Sequence, residues 1–85
     1  MRTIWKFEVP IQDLVVIKMP KDAKVLFASV QHDKSCFWAE VDNFAPLEKR
    51  EFRIYGTGHQ LPDDPGRYLG TFVMHGGALV FHAYE

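Results

Sequence analysis

Apolar and polar residues alternate along most of this chain with a period of two, the signature of half-buried β-strands. Thr3 to Val9 sets Trp5, Phe7 and Val9 against Ile4, Lys6 and Glu8. Pro10, which has no N–H to give a ladder, ends the run. Leu14 to Met19 predicts a second short strand, closed by Pro20 and the turn-forming Lys21-Asp22. Lys24 to Gln31 and Cys36 to Asp42 predict a hairpin around His32-Asp33-Lys34-Ser35. A symmetrical turn there sets Val30 opposite Phe37, Ala28 opposite Ala39 and Leu26 opposite Val41 on one apolar face. Val25, Phe27, Ser29, Trp38 and Glu40 then take the other face. Asn43 to Arg50 reads as a connection in which Pro46 opens one helical turn through Leu47-Glu48-Lys49. Glu51 to Tyr55 returns to strand, with Phe52 and Ile54 inward and Arg53 and Tyr55 outward.

The strongest local signal is Tyr68 to Glu85, two β-rich runs around Gly76-Gly77. Glycines take the positive φ angles that a two-residue hairpin turn demands. The register that follows sets Val73 opposite Val80, Thr71 opposite His82 and Leu69 opposite Tyr84 on one face. Met74 with Leu79, Phe72 with Phe81 and Gly70 with Ala83 form the other, which carries no charge until its open end and is the core face. About seven short strands predict an all-β fold, a small antiparallel sandwich or partly open barrel.

Composition narrows this. Eighty-five residues make one small domain, residues 1–85, and an apolar fraction of 47% with 14% aromatics is ample for a packed core. The net charge of −1 lacks the basic excess of duplex nucleic-acid binders. One cysteine, Cys36, forms no internal disulfide, and no run is apolar enough to span a bilayer, so a soluble intracellular protein without a membrane partner is expected. Several strands carry apolar residues on both faces: Trp38 with Phe27, and Val73, Val80, Leu69 and Tyr84. A second sheet or a second subunit must cover them, and a homo-oligomer is the expectation.

Candidate chemistry concentrates in Arg53-Ile54-Tyr55-Gly56-Thr57-Gly58-His59, where a strand end runs into Gly-Thr-Gly. The backbone N–H groups of such a segment curl into an anion nest, or the glycines merely permit a tight turn. In the first case Arg53 supplies a bidentate phosphate contact, Thr57 a hydroxyl, His59 a second donor and Tyr55 a flat surface for a base. His82, opposite Thr71, is a further pocket candidate, and Trp38 or Tyr84 would stack from a neighbouring chain. Cys36, His59, His75 and His82 lack metal-ligand spacing, so no metal is expected. No cofactor motif is present. Asp63-Asp64, between Pro62 and Pro65, reads as an exposed turn.

The strings Thr3-Ile4-Trp5-Lys6-Phe7, Phe52 to His59, Tyr68-Leu69-Gly70-Thr71-Phe72 and His75 to His82 resemble a family of short proteins of unknown function in bacteriophage and prophage genomes. The resemblance implies a viral accessory protein acting in the host bacterial cytoplasm. The expected function is therefore to counter bacterial defence by binding and sequestering a small anionic nucleotide signal without cleaving it. The alternative is a protein–protein module, an inhibitor of a host immune protein or a minor virion component, with Phe27 and Trp38 as its hot spot. An enzyme would need His59 and His82 to meet in the fold.

Overall fold

A computed structural model describes all 85 residues as seven antiparallel strands in two sheets, with no α-helix. The strands are β1 (Arg2–Glu8), β2 (Leu14–Pro20), β3 (Lys24–Gln31), β4 (Lys34–Asp42), β5 (Leu47–Gly56), β6 (Tyr68–Met74) and β7 (Leu79–Tyr84). One sheet runs β1-β4-β3 and the other β2-β5-β7-β6. No ladder joins them, so the fold is a sandwich and not a closed barrel.

The inward side chains of both sheets form one core. Phe37 of β4 meets Phe52 of β5 at 4.9 Å and Phe72 of β6 at 5.9 Å between ring centroids, and all three are fully buried. Val15, Met19, Ala39, Val41, Ile54 and Ala83 pack around them. The edges formed by β3 and β6 close against each other, where Gly70 faces Ala28.

The C-terminal hairpin follows its sequence closely. Three successive residues of the turn take positive φ, His75 (52°), Gly76 (64°) and Gly77 (95°), and the Ala78 N–H donates to the His75 carbonyl at 3.2 Å. Gly70–Ala83, Thr71–His82, Phe72–Phe81, Val73–Val80 and Met74–Leu79 pair as expected. A bulge at Leu69 ends that agreement: Tyr68, not Leu69, lies opposite Tyr84, and Leu69 packs against the core.

The other hairpin departs in two places. His32 (φ 51°) and Asp33 (φ 62°) alone make its turn, so Val30 pairs with Ser35 and Ala28 with Phe37. This is a slip of two residues from the symmetrical register, and an even slip leaves side chains on their faces. A bulge at Leu26 then turns the strand over. Val25 is buried, while Leu26 is 45% exposed instead of lying in the core.

Residues 47–49 are strand and not a helical turn. β5 pairs with β2 from Leu47–Pro20 to Arg53–Leu14, and the Lys21 N–H donates to the Pro46 carbonyl. The length of β2 demands a partner along all of it, and that non-local ladder outweighs the local signal of Pro46.

Candidate functional site

The outer face of the four-stranded sheet is where the candidate residues gather. Neighbouring strands place Arg53 beside Tyr84, Tyr55 beside His82, His82 beside Thr71 and Tyr84 beside Tyr68. The three tyrosines touch edge to face: Tyr55 and Tyr84 at 5.7 Å, Tyr68 and Tyr84 at 5.5 Å. Tyr68 escaped notice in the sequence because only the Leu69 bulge brings it to this row.

Above that row the turn after β5 folds back, closing a pocket of about 250 Å³. Tyr55, Gly56, Thr57, Gly58, His59, Leu61, His82 and Tyr84 line it. Segments 20 to 30 residues apart thus converge, because β5 and β7 are adjacent strands. Leu61, in the irregular stretch after the turn, had no signal in the sequence.

The Gly-Thr-Gly segment is a turn and not an anion nest. The Thr57 N–H donates to the Val80 carbonyl at 3.2 Å, and the His59 N–H to the Gly56 carbonyl at 3.1 Å. Donors committed to the protein's own backbone are not available to a phosphate. The glycines answer to local geometry: Gly58 has φ 87°, and the His59 imidazole lies over Gly56 so closely that a Cβ there would meet its Cε1 at 3.0 Å.

His82 is held from both sides. Its Nε2 lies 2.8 Å from the Thr57 hydroxyl and its Nδ1 3.0 Å from the Thr71 hydroxyl, which Tyr68 contacts in turn at 2.5 Å. A neutral imidazole donates on one side and accepts on the other, and each hydroxyl serves either role. Neither ring nitrogen is therefore left for a ligand. The fold brings His59 and His82 to one pocket, but only His59 presents a ring without a hydrogen bond of its own.

Arg53 lines an adjoining depression of about 530 Å³ with Asp13, Ile54, Tyr55, His59, Gln60 and Pro62. It is exposed and in no ion pair, and Asp13 is the one acidic neighbour in that lining. Tyr55 and His59 are shared by the two hollows, so the surface is continuous from Arg53 to Tyr84.

Two candidates stand differently from expectation. Tyr84 belongs to the pocket of its own chain and does not need to come from a neighbour. Trp38 is on β4, on the outer face of the opposite sheet, half-buried beside Phe27 at 6.1 Å, and takes no part in the pocket. No group of three or more His, Cys, Asp and Glu side chains comes close enough to hold a metal. Asp64 accepts the Gly66 N–H at 3.1 Å, a turn contact, as its proline neighbours suggest. No helix is long and apolar enough to cross a membrane.

The whole chain, residues 1–85, matches the family model described as "Domain of unknown function (DUF7352)", and the chain belongs to that family. No curated protein and no solved structure matches it.

Proposed function

We propose that this DUF7352 member binds and sequesters a small anionic nucleotide without cleaving it, as a phage-encoded accessory protein countering bacterial defence. The observation that carries the reading is the continuous surface from Arg53 through Tyr55 and His59 to Tyr84. It offers flat aromatic area beside an unpaired guanidinium, the two contacts a nucleotide needs. The pocket of about 250 Å³ lies just below the usual range for small-molecule sites, so it takes one base. The phosphate then extends over Tyr55 toward Arg53. Asp13 opposes that charge and favours ligands whose phosphate stays on the His59 side. Sequestration over cleavage is supported by His82, whose ring nitrogens are both engaged, which leaves His59 without a second free histidine beside it in the pocket. The phage and host-cytoplasm setting rests on the motif resemblance.

Calorimetric titration with ribonucleoside monophosphates, cyclic mononucleotides and cyclic dinucleotides tests this. Saturable binding by one class is expected, lost in Arg53→Ala with the fold intact, and with the nucleotide recovered unchanged. Absence of binding across all three classes, or release of a hydrolysed product, overturns the reading.

A second reading is favoured by Phe27, which is 60% exposed on the opposite sheet beside Trp38. There the protein is an interaction module. Trp38→Ala would abolish capture of a host protein and leave nucleotide affinity unchanged.

A further inference from the structure

We propose that β1 forms a homodimer interface, pairing antiparallel along its free edge with β1 of a second copy about a two-fold axis at Trp5. The argument begins with the ladder. The Asn43 N–H donates to the Met1 carbonyl at 3.0 Å and the Val9 N–H to the Ser35 carbonyl at 2.9 Å, so the odd-numbered residues of this segment bond toward β4. Alternation then points the N–H and C=O groups of Arg2, Ile4, Lys6 and Glu8 outward, with no strand beyond them. None of the four is proline, and the register with β4 is unbroken over all seven residues.

The other edges are less open. β3 and β6 carry bulges and close against each other. β2 has Pro20 at an outward-facing position, where the donor is missing. Natural edges are often guarded by a lysine projecting past the strand. Lys6 does not do this, because its ammonium reaches back across β4 to the Gln31 side-chain oxygen on β3 at 3.0 Å.

The sequence of β1 is complementary to itself in the register that pairs outward groups with outward groups. Centred on Trp5, it sets Arg2 against Glu8 of the mate at both ends, Ile4 against Lys6, and Trp5 against Trp5. Arg2 contacts Glu40 through Nε and Nη2, leaving Nη1 for the mate's carboxylate. Trp5, 38% exposed at the rim, would be covered by its symmetry mate, and the two three-stranded sheets would become one of six. The nucleotide pocket is complete within one chain on the opposite sheet, so this inference is independent of the binding reading.

Sedimentation equilibrium with charge-swapped variants tests it. A seven-residue edge is a small interface, so a dissociation constant on the order of 10 µM is expected for the wild type. Ile4→Pro removes an N–H that bonds nothing in the monomer, and should weaken the dimer by roughly 100-fold with the fold unchanged by circular dichroism. Arg2→Glu and Glu8→Arg place like charges opposite each other in their own homodimers, and each should be about tenfold weaker. Mixed together, they restore two opposite-charge pairs and should form a heterodimer of wild-type strength. A wild type that stays monomeric at about 1 mM overturns the proposal. So does an Ile4→Pro protein that still dimerises, or a mixture no tighter than its components.

Discussion

Gly70 of β6 lies so close to Ala28 of β3 that a Cβ at position 70 would stand 2.5 Å from the Ala28 Cβ. No ladder bonds join these two strands, so this contact sets how closely one edge of the sandwich shuts. Gly70→Ala would push the sheets apart where Phe37 and Phe72 interlock, at a cost of about 1–3 kcal/mol. Adding Ala28→Gly should recover the part that comes from the shared space, while the φ of 156° at position 70 keeps a strain that Ala28→Gly does not relieve. Urea midpoints of the two single variants and the double variant measure the coupling. Additive losses would show that something other than this contact is responsible.

Arg50 is an inward-facing charge at the end of the core. It occupies the same face of β5 as Phe52 and Ile54, and its guanidinium meets Glu85 through two bonds, 2.5 Å from Nε and 2.7 Å from Nη2. Nη1 donates to the Ala23 carbonyl at 2.8 Å, tying β5 to the turn before β3. The hydrogen bonds to Glu85 raise the Arg50 pKa, so the guanidinium keeps its charge. Arg50→Ala strands the Glu85 carboxylate and opens the turn, and should cost about 1–3 kcal/mol. Glu85→Gln, which keeps an acceptor for the fork, should cost less than half as much. Equal losses would mean the guanidinium acts through the Glu85 charge alone, and no loss in Glu85→Gln would mean it acts through its contact with Ala23.

That pair also shows where the sequence stops being informative. Alternation identified both faces of the C-terminal hairpin, because two glycines fixed its turn and the pleat did the rest. Arg50 was hidden because residues 47–50 look like a connection until β2 is known to need them as a partner. Bulges were equally invisible: nothing in Val25-Leu26-Phe27 or Tyr68-Leu69-Gly70 marks the extra residue, since a bulge is chosen by the neighbouring strand and the closing sandwich. Of the site, the strand-borne members Arg53, Tyr55 and His82 were legible from their outward positions, as was the loop carrying His59. Tyr68 depended on a bulge. The anion nest failed because Val80 and Gly56 supply acceptors for its N–H groups, a fact of strand adjacency.

Acid should destabilise this protein below the ordinary carboxylate range. Asp42 accepts the Phe44 N–H at 3.0 Å in the turn between β4 and β5, and this bond is the main cause holding its carboxyl below the usual value. The Arg2 guanidinium does the same for Glu40. A carboxyl whose folded pKa lies below its unfolded one stabilises the fold above the unfolded value, and that contribution disappears as pH falls through the folded one. The thermal midpoint should therefore be flat near neutrality and drop between about pH 4 and pH 2. Both groups are exposed, so the Glu40 part should also shrink with added salt. Asp42→Asn should flatten the acid limb of the midpoint against pH. An unchanged limb would assign acid sensitivity to other carboxylates.

Tyr84 joins the fold of the outer face to its proposed use. Its ring contacts Tyr55 on one side and Tyr68 on the other, and it forms a wall of the pocket that Tyr55 and His59 also line. Tyr84→Ala deletes that wall and should weaken nucleotide binding by about 10- to 100-fold, the loss of one stacking partner. Stability should fall as well, by about 1–3 kcal/mol for two edge contacts. Tyr84→Phe keeps both rings in contact and should bind within about twofold of wild type, since base stacking uses the ring face and not the hydroxyl. Trp38→Ala, on the other sheet, serves as the control and should leave nucleotide affinity unchanged. Calorimetry on the three variants separates the possibilities. If Tyr84→Phe binds as poorly as Tyr84→Ala, the hydroxyl and not the ring is the contact, and the ligand is held by hydrogen bonding along the row of tyrosines instead of by stacking.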